Sequence, residues 1–77
     1  MNREAFYQLI DKAVEAPPGT IRGDENLADV IGWDSMAQVT FMTEFDKHFG
    51  KPPCAQSLAG ALTVEDLVRL SGNGVVN

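Results

Sequence analysis

Cysteine and histidine are each present once, and basic residues are few, six against eleven acidic ones. Cys54 has no partner for an internal disulfide, so nothing in the cysteine usage calls for an oxidising compartment. With one histidine, His48, and scattered carboxylates, the chain matches no metal-ligand spacing. The acidic stretch of Asp24, Glu25 and Asp29 lacks the central glycine of a calcium loop and reads as a solvated surface. A formal charge of −5 without a basic cluster repels nucleic acid and anionic lipid, and points instead to protein partners with basic patches. No apolar run approaches the ~20 residues that span a bilayer. The start, Met1-Asn2-Arg3-Glu4, lacks the apolar core of a secretory signal. These features lead to the expectation of a cytoplasmic monomer that meets neither nucleic acid nor membrane.

What is present is helix-forming sequence with clear punctuation. An apolar share of 44 % over 77 residues is enough to fold as a single domain, residues 1–77, but leaves no room for a deep catalytic pocket. From about Arg3 to Glu15, Phe6, Leu9, Ile10, Ala13 and Val14 recur at helical spacing, and Pro17-Pro18-Gly19 closes the segment. A long connection follows, in which Leu27, Val30 and Ile31 offer apolar anchors and Gly32 permits a sharp approach to the next helix. The second helix, from about Ser35 to Phe49, places Val39, Met42, Phe45 and Phe49 on its expected buried face, with Phe41 widening the stripe. Gly50-Lys51-Pro52-Pro53 stops it. Cys54 to Leu62 reads as a short helix at best. A last helix starts near Thr63, capped through Asp66, with Val64, Leu67, Val68 and Leu70 inward and a frayed tail after Gly72-Asn73-Gly74. The expected fold is all-α: a small four-helix bundle of three main helices and one short one.

The informative stretch is Trp33-Asp34-Ser35-Met36-Ala37-Gln38. Ser35 with Gln38 three residues later reads as a capping box, which puts a hydroxyl at the mouth of an amphipathic helix. Such a mouth also favours negative charge, including phosphate. As a hydrolytic nucleophile Ser35 lacks a base, because His48 stands ~20 Å further along the same helix at 1.5 Å per residue. The nucleophile-elbow pattern also fails, with Trp33 and Ala37 where glycines are needed. A Cys54–His48 dyad has nothing to orient its histidine. Met36 falls off the expected buried stripe, beside Ser35 and on the side of Thr40, Thr43 and Lys47, and Trp33 is placed to close one end of the core.

Asp34-Ser35-Met36, the upstream Leu27 and Val30, the helix end Phe45-Asp46-Lys47-His48-Phe49-Gly50 and the late Thr63-Val64-Glu65-Asp66-Leu67-Val68 together resemble the acyl carrier proteins over most of the chain. The resemblance implies a carrier without catalytic activity of its own. It implies a 4′-phosphopantetheine arm, drawn from coenzyme A by a phosphopantetheinyl transferase with Mg²⁺ and attached to Ser35, with Asp34 and Met36 as recognition context. It also implies acyl-loading and acyl-transfer enzymes as partners. Against the densely acidic partner face of fatty-acid-synthesis carriers, Ala37, Thr40, Thr43 and Lys47 are departures, leaving Glu44 and Asp46, the latter expected to turn toward the buried flank. Charge complementarity sets on-rate and partner choice, so the expectation is a dedicated pathway, of the polyketide, nonribosomal peptide or modified-lipid kind, with a short or polar cargo. The alternative is a small helical interaction module without a prosthetic group.

Overall fold

The computed structural model describes Met1–Val76 and contains four α-helices: α1 Arg3–Ala13, α2 Ser35–Phe49, α3 Ala55–Ala59 and α4 Val64–Arg69. No strand beyond isolated bridges occurs among the described residues. The all-α bundle expected from the pattern is the fold. Its two long helices pack on each other, and α4 is only six residues long.

Three of the four α-helices begin where a side chain satisfies a free amide, and α3 begins after Cys54 without a side-chain cap. Asn2 accepts from the Ala5 N–H at 2.8 Å, and Thr63 and Asp66 form a reciprocal capping box at the start of α4. α1 ends earlier than Pro17-Pro18 would require. The Glu15 N–H donates to the Lys12 carbonyl and the Ala16 N–H to the Asp11 carbonyl, with Glu15 itself in the left-handed region at φ 60°. That is a Schellman ending with glutamate where glycine is usual, a conformation costing on the order of 1 kcal/mol for a residue with a Cβ.

The core is aromatic at its centre. Phe6, Phe41 and Phe45 are fully or almost fully buried, and the Phe6 and Phe41 rings meet edge-on with centroids 5.9 Å apart. The buried face of α2 is therefore Ala37, Phe41, Glu44 and Phe45, rotated from the expected stripe. Val39 is 63 % exposed, while Met42 and Phe49 are half-buried. Pairing of Phe41 with Phe6 on one side and Trp33 on the other sets this rotation, which helical spacing alone leaves open.

The long connection is held at both ends. Buried Asp11 accepts from the Gly19 and Ile21 amides at 2.9 Å each, and the loop then inserts Ile21 and Leu27 into the core. A 3₁₀ turn at Leu27–Asp29 follows, tied to the start of α4 by Leu27 N–H to Leu62 carbonyl and Val64 N–H to Glu25 carbonyl. Ile31, expected as an anchor, is instead 93 % exposed, because the chain lifts off the core after the half-buried Val30. The tail is not frayed through Val76: Arg3 N–H bonds the Val76 carbonyl, Val76 N–H bonds the Met1 carbonyl, and Arg3 pairs with Glu65 at 2.7 Å.

Removing the Asp11 carboxylate strands two amides, one of them buried. Asp11→Ala is expected to destabilise the fold by about 3 kcal/mol and Asp11→Asn by about half as much, read as shifts in urea midpoint. Arg3 holds Glu65, and Lys12 holds Glu44, below the ordinary glutamate value of 4.5. Carboxylates depressed in the folded state contribute stability above their unfolded pKa and lose it as the pH falls through the folded one. The thermal midpoint should thus be level near neutrality and drop below about pH 4.5, with a shallower drop for Glu65→Gln.

Candidate functional site: the mouth of α2

Three residues steer the chain into α2. Gly32 has φ 91°, and a Cβ there would lie 2.9 Å from the Val14 carbonyl oxygen, so glycine lets the loop close onto the end of α1. Trp33 is half-buried with its ring 5.8 Å from that of Phe41, which makes it part of the core as well as the lead into the helix. Asp34 caps α2, its carboxylate accepting from the Ala37 N–H at 2.9 Å. The capping box of Ser35 with Gln38 is not formed, because the cap lies one residue earlier and Ser35 is the first helical residue.

This shift changes what Ser35 can do. Its side chain is exposed and has no hydrogen-bond partner among the described residues, while the cap is supplied by its neighbour. The hydroxyl stands free beside a helix start whose first amides have no intrahelical acceptor. A groove of ≈190 Å³ lies on the Met36 and Thr40 side of the same helix start, lined also by Val14, Glu15, Gly32 and Asp34 but not by Ser35. The exposed oxygen thus stands at a helix start, an end that favours negative charge.

Around the serine the outward face differs in detail from expectation. Met36 is 79 % exposed, as its position predicted, and exposed Val39 stands three residues along the same side. Ala37, expected among the outward residues, is buried, its small side chain allowing the end of α2 close to α1. Glu44 and Asp46 exchange roles. Glu44 is buried against α1 and paired with Lys12 at 2.7 Å and Lys47 at 3.8 Å, whereas Asp46 faces solvent. The rotation that puts Phe41 inward carries Glu44, three residues later, inward with it. Asp46 is thus the only acid of α2 left outward.

His48 lies nearly the length of α2 from Ser35 and is exposed, so the histidine is not beside the hydroxyl. Cys54 is exposed at the start of α3, its thiol held below the usual value by hydrogen bonds from Ser57 and the Gln56 amide. No cluster of three His, Cys, Asp or Glu able to hold a metal occurs among the described residues. None of the described helices is long and apolar enough to cross a membrane. Sequence reasoning missed the left-handed Glu15, which lines the groove without a glycine to announce it, and the exposure of Val39 and Ile31. Set against protein-family models, curated proteins and solved structures, the chain matches none.

The division of labour between Asp34 and Ser35 is directly testable. Asp34→Ala should cost about 1 kcal/mol in chemical denaturation as a lost cap. Ser35→Ala, removing an exposed hydroxyl with no partner, should stay within about 0.5 kcal/mol of wild type.

Proposed function

We propose that the protein is an acyl carrier whose Ser35 bears a 4′-phosphopantetheine arm. The observation that carries this reading is the free Ser35 hydroxyl at the first turn of α2, set in Asp34-Ser35-Met36 and relieved of capping by Asp34. Ser35 supplies the oxygen that takes the arm from coenzyme A. With the histidine far along α2 and the Asp34 carboxylate engaged as the helix cap, activation of the hydroxyl falls to a phosphopantetheinyl transferase acting with Mg²⁺. The arm, once attached, supplies a thiol that holds an acyl group as a thioester. Asp34 keeps the helix start in place during this transfer, and exposed Met36 and Val39 offer an adaptable apolar patch for the transferase and for acyl-loading and acyl-transfer enzymes.

The outward face of α2 carries little negative charge, since Glu44 is turned inward and neutralised by Lys12 and Lys47. That supports partners from a dedicated biosynthetic pathway instead of the general fatty-acid enzymes. The centre of the bundle is filled by Phe6, Phe41 and Phe45, which favours a short cargo held outside the core. A catalytic role for the chain is not part of this reading. In a cytoplasmic setting the protein works as a monomer that meets its enzymes in turn.

Incubation with coenzyme A, Mg²⁺ and a panel of phosphopantetheinyl transferases, read by intact mass, tests the proposal. The wild type should gain one phosphopantetheinyl group and Ser35→Ala none. If neither gains mass while both are folded, the carrier reading falls and an interaction module using the Met36–Val39 patch takes its place.

A further inference from the structure

Between the 3₁₀ turn and α2 the chain makes a reverse turn from Val30 to Trp33, closed by the Trp33 N–H donating to the Val30 carbonyl at 3.3 Å. Gly32 is its third residue, with φ 91°, the place at which a type II turn requires a positive φ. The turn projects Ile31 outward, 93 % exposed, and lays Gly32 against the peptide of Val14.

That contact has little room to give. Val14 is held in place, because its own N–H donates to the Ile10 carbonyl at 3.0 Å and the next two amides donate to the Lys12 and Asp11 carbonyls. A Cβ at position 32 would come within 2.9 Å of the Val14 oxygen and 3.3 Å of the Val14 Cβ, on a backbone already strained for any residue but glycine. The turn must then move instead. Upstream it is fastened by the Val30 N–H on the Leu27 carbonyl and the Leu27 N–H on the Leu62 carbonyl. Downstream come Trp33, seated on Phe41, then the cap Asp34 and Ser35. A displacement of Gly32 is passed to the serine within three residues.

We infer that Gly32 is a positioning residue for arm attachment: without a side chain it lets the Val30–Trp33 turn rest on the end of α1, and this fixes where the Ser35 oxygen stands. The inference rests on the carrier reading of Ser35. In the transfer the serine oxygen bonds the phosphorus that carries the pantetheine arm, and the pyrophosphate link of coenzyme A breaks. The doubly phosphorylated adenosine leaves, and the serine proton passes to a base of the transferase. A misplacement of ~1 Å can slow such a step about a hundredfold. The Ser35 side chain has no hydrogen bond of its own among the described residues, so the backbone that delivers it is what places it.

The test measures arm transfer from coenzyme A with Mg²⁺ and a transferase that modifies the wild type, on wild type, Gly32→Ala, Ile31→Gly and Asp66→Ala. Asp66→Ala removes the cap of α4 and serves as a variant that loses stability only. Lost stability lowers the folded fraction, which raises the apparent KM and leaves kcat unchanged, whereas a misplaced oxygen lowers kcat. Gly32→Ala should lower kcat by roughly ten- to a hundredfold with KM within about twofold of wild type. Ile31→Gly loosens the turn at an exposed position that costs no packing, and should lower kcat by roughly two- to fivefold. Asp66→Ala should keep the wild-type kcat. A wild-type kcat in folded Gly32→Ala, or in Ile31→Gly where Gly32→Ala does not fold, would overturn the positioning role and leave the carrier reading standing. An equal loss of kcat in Asp66→Ala would also overturn it, by making the effect one of stability. If no transferase modifies the wild type, the carrier reading falls and this role with it.

Discussion

The carboxylate of Asp11, 1 % exposed, receives the amides of Gly19 and Ile21, and the rest of the molecule is arranged around that anchor. A long connection cannot pack its backbone on a helix unless its amides find acceptors. Asp11 provides two on a single side chain. Held there, the connection can commit Ile21 and Leu27 to the core, reach the start of α4 through Leu27 and Glu25, and return to α1 where Gly32 touches Val14. The position of Ser35 follows from this path. The serine stands on a rigid helix, and the strand of chain leading to it is fastened at three places before it arrives.

The aromatic centre has a consequence for function as well as for stability. Phe6, Phe41, Phe45 and Phe49 contact one another in sequence, and Trp33 extends the set toward the mouth of α2. Rings packed in this way leave little volume to give up, since opening a core space means losing contacts worth several kcal/mol per large side chain. Space is found at the surface instead, in open grooves, two of which share Val14 and Glu15 in their linings. The same packing turns Glu44 inward onto Lys12 and removes a charge from the face beside Ser35. The aromatic core therefore sets the rotation of α2, and the inward turn of Glu44 follows from it.

Much of the local structure was legible in the chain. Gly50 ends α2 in the left-handed region, Thr63 and Asp66 cap α4 reciprocally, and α2 runs from Ser35 to Phe49 as its pattern indicated. These signals are short-range, carried by side chains within a turn of the backbone groups they satisfy. The site was legible in part. Asp34-Ser35-Met36 stood out as a motif and Met36 is exposed, yet the cap was assigned to Ser35 when Asp34 holds it. Both residue types cap helices well, and choosing between adjacent candidates depends on where the backbone first turns helical.

By itself the sequence determined the number of helices, the stop of α2 at Gly50, the cap of α4 and the placement of one serine at a helix start, because capping, glycine freedom and apolar spacing act over a few residues. Only the tertiary structure decided which side of α2 faces inward. Val39 and Phe41 are comparable candidates by spacing, and contact with Phe6 and Trp33 selects Phe41. It likewise decided that Glu15 reaches two grooves and that Val76 is tied to Arg3, since both facts join residues far apart in the chain. Local physics sets what each segment is, and the packing of segments against one another sets which of its atoms are left for chemistry.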